Sequence, residues 1–91
     1  MAFFVGEKLP LEVEVRKNGT LTSPSSITIS AYVDGTAKVS DATMNQTATG
    51  RYYYDLTLDT AGKWIVYIKT TDDNGREQID RYTFYVSEGR T

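Results

Sequence analysis

Apolar residues recur at every second position in five separate stretches of this chain. The stretches cover positions 9–15, 27–33, 52–58, 64–68 and 82–86. Successive side chains of an extended strand point to opposite faces, so this period places apolar groups on one face and polar groups on the other. Nowhere does the 3.6-residue period of an amphipathic helix persist over eleven residues. The pattern therefore predicts an all-β chain.

Turn sequences separate these stretches at regular intervals. Asn18-Gly19, Asp34-Gly35 and Asn74-Gly75 readily take the positive φ angles of tight turns, and Gly50 and Gly62 precede the two clearest alternating stretches. Short strands at this spacing, with no helices between them, match a β-sandwich. An open barrel of the OB type is the alternative, but that fold usually carries a helix. We predict a β-sandwich of six or seven mainly antiparallel strands, with one domain over residues 1–91.

The segment 37–49 is polar and rich in threonine, so its alternation is weak. Val39 and Met44 are its only plausible core residues. One or two short strands are predicted there.

The last strand contains a break in its pattern. Tyr82, Phe84 and Val86 are predicted to point inward, whereas Ile79 is out of phase with them. An extra residue in one strand would explain this shift, so we predict a β-bulge near Asp80.

Histidine and cysteine are both absent from the chain. Disulfides, thiol catalysis, a Ser-His-Asp triad and imidazole metal sites are therefore excluded. A carboxylate pair could still serve a glycosidase, but Glu12, Glu14 and Asp55 fall on outward positions and the other candidates fall at turns. We expect no enzyme activity and no cofactor.

The acidic turn Asp72-Asp73-Asn74-Gly75 raises the question of calcium, since carboxylate and amide oxygens are its preferred ligands. An EF-hand loop would need a glutamate at its twelfth position, where this chain has aromatic and hydroxyl residues. A plain hairpin turn is the preferred interpretation, and no metal site is predicted.

The charged residues are balanced and dispersed. Ten Lys and Arg against 12 Asp and Glu give a net charge of −2. Neither a nucleic-acid nor a membrane-surface partner is expected from this distribution. The segment 1–7 lacks the apolar length and basic residues of a signal peptide, and nowhere do 18 apolar residues follow one another. These features leave the compartment open.

Four segments resemble bacterial and phage immunoglobulin-like domains. They are VGEKLPLEV at 5–13, NGT at 18–20, GRYYY at 50–54 and AGKWIVY at 61–67. The resemblance spans nearly the whole chain and implies an immunoglobulin-like β-sandwich. It also implies that Trp64 is the aromatic residue at the corner before the central F strand, and that Val66 stands where antibody domains carry a cysteine.

Alternation also predicts which large side chains face outward. These are Tyr53, Ile65, Tyr67 and Tyr85. The last three are expected on adjacent strands of one sheet. Because tyrosine offers a large contact area at low entropic cost and is enriched at interfaces, we predict a binding surface there. The alternative is that cross-strand aromatic pairs stabilise the sheet surface without any partner.

The resemblance implies two settings for such a module. Immunoglobulin-like domains of this kind occur in phage head and tail proteins and as repeats of bacterial surface adhesins. We expect a non-catalytic structural or binding module of a phage particle that contacts a protein partner, with self-association as one form of that contact. A repeat of a bacterial surface or adhesion protein is the alternative, and a carbohydrate-binding role is a third option.

Overall fold

Strands make up most of the chain in a computed structural model that describes residues 3–88; residues 1–2 and 89–91 of the predicted domain lie outside this range. No helix occurs among the described residues, so the all-β prediction is confirmed. There are ten strands in this range rather than six or seven, because three of them have only two residues. The strands are β1 (Phe3–Phe4), β2 (Lys8–Glu14), β3 (Arg16–Lys17), β4 (Thr20–Leu21), β5 (Ser26–Val33), β6 (Thr36–Thr43), β7 (Asn45–Ala48), β8 (Arg51–Thr57), β9 (Gly62–Thr71) and β10 (Glu77–Ser87).

These strands form two main sheets and a small hairpin. The five-stranded sheet has the order β1-β10-β9-β5-β6, the three-stranded sheet has the order β2-β8-β7, and β3 pairs with β4. Neighbours run antiparallel except β1, which runs parallel to β10 with Phe3 opposite Val86. The mainly antiparallel arrangement is as predicted.

Both main sheets contribute to one apolar core. Along β5 every second side chain is buried and the intervening ones are half-buried, which is the expected result of a strand with one face on the core. Two sheets that share a core in this way are consistent with a β-sandwich. The buried core residues are Ile27, Ile29, Ala31, Val33, Met44, Tyr52, Leu56, Leu58, Trp64, Val66, Ile68 and Val86.

The polar segment 37–49 is divided between β6 and β7. Met44, between the two strands, is buried, and Val39 packs half-buried against the core. The two predicted strands and the two predicted core residues are confirmed, although β6, with eight residues, is as long as β5. The register of β6 against β5 shifts twice, around Ala31, and Asp41 takes a positive φ of 45° in this irregular part of β6.

One prediction for the last strand is wrong, and a second holds only in part. The pairing of β10 with β9 runs without a shift from Glu77 opposite Thr71 to Val86 opposite Gly62, so there is no bulge near Asp80. Tyr82 has the predicted inward phase, but it is 47% exposed. The sheet of β10 has five strands and the facing sheet has only three. The facing sheet therefore does not cover every side chain that points inward from β10.

Candidate functional site

The outer face of the five-stranded sheet presents a group of large apolar and aromatic side chains. We name this group the outer-sheet patch and define it as Tyr32 of β5, Ile65 and Tyr67 of β9, and Ile79 and Tyr85 of β10. Tyr85 and Ile79 are 63% and 59% exposed, whereas the other three are half-buried. The patch thus crosses three adjacent strands, with its most exposed side chains on β10.

Strand register explains how these residues come together. Tyr32 lies opposite Ile65, and Thr83 lies on the other side of Ile65. One step along the outer face, Tyr67 lies between Ser30 and Arg81. The rings of Tyr32 and Tyr67 meet edge to face, with centroids 6.0 Å apart and an interplanar angle of 76°, a favoured geometry for aromatic pairs.

A shallow groove of about 600 Å³ follows the middle of this face. Tyr32, Ile65, Tyr67 and Ile79 contribute its apolar lining. Its polar lining comes from Thr28, Ser30, Asp34, Asp41, Lys63 and Lys69. The groove therefore combines an apolar centre with hydroxyl and charged groups at its margins.

Asp41 is placed at this groove by the irregular part of β6. Its backbone N–H donates to Ser30 Oγ at 3.0 Å, and the Ser30 hydroxyl lies 3.4 Å from Asp41 Oδ1. Aspartate tolerates a positive φ better than most residues do, because its short side chain forms local hydrogen bonds. Register shifts beside functional surfaces often redirect a side chain in this way.

Charges of opposite sign occupy opposite sides of the outer face. Asp34 at the end of β5 and Asp41 on β6 are acidic, and the Asp34 carboxylate accepts a hydrogen bond from the Lys63 backbone N–H at 3.2 Å. Lys63, Lys69 and Arg81 are basic and belong to β9 and β10. Among the described residues on the outer face of β9 and β10, Glu77 is the one acidic side chain. Its Oε2 lies 3.7 Å from Lys69 Nζ and forms an ion pair with it.

Of the four residues predicted for a binding surface, the structure brings three together. Ile65, Tyr67 and Tyr85 share the outer face of one sheet. Tyr53 lies on β8 between Glu12 and Asn45, on the outer face of the three-stranded sheet. The two outer faces are on opposite sides of the shared core, so Tyr53 is not part of this patch.

Two members of the patch were not predicted from the sequence. Tyr32 alternates with the buried residues of β5, so the same rule that placed Tyr67 outward also applies to it. Ile79 is in phase with Tyr85 on the outer face. The strand is regular, and the assumption of a bulge concealed this position.

In the acidic turn before β10, the Asp72 carboxylate forms hydrogen bonds with the backbone of the turn. Asp72 Oδ1 accepts hydrogen bonds from the N–H groups of Arg76 and Asn74, both at 2.9 Å. These two hydrogen bonds hold the pKa of Asp72 below its ordinary value, and the bond from Arg76 has the larger effect. Among residues 3–88 no group of three or more His, Cys, Asp or Glu could hold a metal ion. The same residues contain no helix long and apolar enough to cross a membrane.

No protein-family model matches this chain, and no curated protein matches it. The fold and the outer-sheet patch are therefore the basis for proposing a function.

Proposed function

We propose that this chain is an immunoglobulin-like module without chemistry of its own, which acts by binding another protein through the outer-sheet patch. The observation that carries this proposal is the patch itself. Four of its five side chains line a groove on the sheet face, and Tyr85 and Ile79 are more than half exposed.

The order of the strands supports an immunoglobulin-like topology. Such sandwiches place strands B, E and D in one sheet and G, F and C in the other, and the variable type adds C′ beside C. If β2, β5, β6, β7, β8, β9 and β10 are B, C, C′, D, E, F and G, the two sheets become B-E-D and G-F-C-C′. This is the expected arrangement, and it agrees with the sequence resemblance.

The surroundings of Trp64 support the same topology. Immunoglobulin-like domains have a tyrosine near the start of strand F that donates a hydrogen bond to the backbone a few residues upstream, two positions before the F-strand cysteine. Trp64 is at the start of β9 and two positions before Val66, and its Nε1–H donates to the Thr60 carbonyl at 2.8 Å. An indole would then serve here as the corner aromatic.

The chemistry of the patch favours a protein partner. Tyrosine and isoleucine supply a large apolar contact area, and a tyrosine hydroxyl can also bond to polar groups at an interface rim. The edge-to-face arrangement of Tyr32 and Tyr67 gives no shared flat surface for a sugar ring. A carbohydrate-binding face is therefore the weaker candidate, and a glycan-array screen distinguishes the two.

The resemblance to phage and bacterial modules also suggests where this contact is made. We propose an accessory or structural role in a phage head or tail, and the alternative is a repeat of a bacterial surface protein. Gene context separates these settings, because neighbouring capsid or tail genes favour the first and a long exported parent protein favours the second.

The double substitution Tyr67→Ser and Tyr85→Ser tests the binding role. It should abolish capture of the partner while the domain stays folded, because the tyrosine rings are on the solvent side of the sheet. Loss of the contact between Tyr32 and Tyr67 should cost about 0.5–1.5 kcal/mol of stability. Immobilised protein with mass spectrometry of the bound fraction measures capture, and circular dichroism measures folding.

Tyr53→Ser is the matched control, because it removes the same ring from the opposite face. It should leave capture unchanged. Equal capture by the wild type and by the double variant would overturn the proposal.

A further inference from the structure

We infer that the outer-sheet patch binds a second copy of this chain, face to face. The two copies are related by a two-fold axis that runs parallel to the strands, along the line between the neighbouring strands β5 and β9. This inference rests on the proposed function, because it names the protein that the patch contacts. It is carried by the positions of the charged residues in the strand register.

The outer face has matching positions on either side of the line between β5 and β9. Tyr32 of β5 and Ile65 of β9 are directly opposite each other, as are Ser30 and Tyr67. In the row of Ser30 and Tyr67, Arg81 lies next to Tyr67 on β10, and Asp41 of β6 lies next to Ser30. Asp41 and Arg81 therefore occupy equivalent positions on opposite sides of this line, each on the second strand from it.

A two-fold axis along the line converts these positions into contacts between copies. Rotation by 180° about it brings each residue of β6 above β10 of the other copy, and each residue of β5 above β9. Asp41 then faces Arg81 of the second copy, and Asp34 faces Lys63 of the second copy. Tyr32 faces Ile65 in the apolar centre, so the surface complements itself as a two-fold interface requires.

The alternative two-fold axis lies parallel to the plane of the sheet but perpendicular to the strands. It does not bring opposite charges together. It would place β9 and β10 above the same strands of the second copy, so basic residues would face basic residues. Like charges that face each other at an interface oppose association. Both axes keep the strands of the two sheets aligned within the range of about 30° that packed sheets prefer. The charges therefore decide between the two orientations.

The size of the face sets the expected affinity. Four strands spaced about 4.8 Å apart and about 26 Å long give a footprint of roughly 500 Å² on each copy. Stable interfaces bury about 800 Å² on each partner, and weaker, transient ones bury less. The expected dimer is therefore a reversible one, which dissociates on dilution in the micromolar range.

Sedimentation velocity over a range of concentrations measures this equilibrium. Wild-type protein should change from monomer to dimer, and the dissociation constant should rise with ionic strength because charge pairs contribute. Arg81→Glu should raise the dissociation constant at least tenfold, since the introduced carboxylate would face Asp41 of the other copy. Asp41→Lys should act similarly, because the introduced ammonium group would face Arg81.

The combined variant Arg81→Glu and Asp41→Lys is the decisive measurement. It restores opposite charges across the two-fold axis, so its dissociation constant should return to within about threefold of the wild-type value. Lys8→Glu is the matched control, since it reverses an exposed charge on β2 of the other sheet and should have no effect. A double variant as weak as the single ones would overturn the pairing.

The orientation is tested by one introduced cysteine, because the chain has none of its own. Thr28 lies on the outer face of β5, and the strand-parallel axis keeps two copies of this position close. The perpendicular axis would separate them by roughly 20 Å, from about 3.3 Å per residue along the strand. Packed sheets are about 10 Å apart, which is too far for a direct disulfide between the two copies. A bismaleimide cross-linker of that span should therefore join two copies of Thr28→Cys, and it should not join two copies of Thr57→Cys on β8. Absence of the Thr28→Cys product would overturn the proposed axis.

These outcomes are separate from a failure of the proposed function. Wild-type protein that stays monomeric at every concentration overturns the second copy as partner. The binding role still stands in that case if Tyr67→Ser with Tyr85→Ser abolishes capture of a different protein. It fails as well if that double variant captures the same protein as the wild type.

Discussion

At the scale of single residues, Asp72 links the acidic turn to the pH dependence of stability. Its carboxylate accepts two backbone hydrogen bonds and its pKa is lowered in the folded chain. The unfolded chain therefore takes up this proton at a higher pH than the folded chain does. The stabilising contribution is present above about pH 4 and is lost as the pH falls below that value toward the lowered pKa.

Asp72→Asn should reduce this acid dependence. Asparagine keeps an acceptor oxygen for the Arg76 and Asn74 amides but does not ionise in this range, so stability should fall less between pH 5 and acid conditions, measured by urea denaturation at each pH. The control is Asp73→Asn, which removes a neighbouring carboxylate that bonds to Ser25 instead. An equal effect of the two substitutions would contradict the role assigned to Asp72.

At the scale of elements, Gly50 fixes the approach of β8 to the end of β2. Its carbonyl accepts a hydrogen bond from the Val15 N–H at 2.7 Å, and its φ is 72°. A Cβ at this position would lie 2.8 Å from both the Thr22 nitrogen and the Val15 oxygen. These are backbone atoms, which cannot move aside as the end of a flexible side chain can.

Gly50→Ala should therefore destabilise the domain more than Gly19→Ala does. Gly19 also has a positive φ, 81°, but a Cβ there would meet nothing within 4 Å. Both substitutions share the conformational cost of about 1–2 kcal/mol, and the crowding at Gly50 should add about 1–3 kcal/mol. Urea denaturation of the two variants measures the difference, and equal destabilisation would show that crowding is relieved by small shifts.

Local patterns predicted the long strands because each has one face on the core. Burial of every second residue leaves a period-two pattern in the sequence, and β2, β5, β8 and β9 follow it. Strands of two residues leave no such pattern, so β1, β3 and β4 could not be predicted. Exposure of Tyr82 depends on the width of the facing sheet, which is a property of the whole fold and not of β10.

The candidate site was predictable to a similar extent. Alternation gives the outward phase of Ile65, Tyr67 and Tyr85, but it does not say which outward faces belong to the same sheet. Tyr53 has the same phase and lies on the other side of the core. The position of Asp41 depends on a register shift between β5 and β6 that the polar sequence 37–49 does not reveal.

At the scale of the whole molecule, the first strand is connected to the middle of the core through aromatic contacts. Phe3 meets Phe84 edge to face with centroids 5.3 Å apart, and Phe84 stacks on Trp64 at 6.2 Å with an interplanar angle of 8°. Because β1 runs parallel to β10, the first and last strands depend on each other. Trp64 is the chain's single tryptophan and is fully buried, so its fluorescence reports on the centre of the core.

Phe3→Ala should therefore weaken the entire domain and not only its first strand. Phe3 is half-buried, so loss of its ring should cost about 1–3 kcal/mol. Urea transitions followed by Trp64 fluorescence and by far-UV circular dichroism should shift together to lower concentration, as expected for a single cooperative unit. Val5→Ala, at a residue 38% exposed in the same segment, should produce a smaller shift. If the dichroism transition moved while the fluorescence transition stayed in place, the first strand would unfold separately and the core would not depend on it.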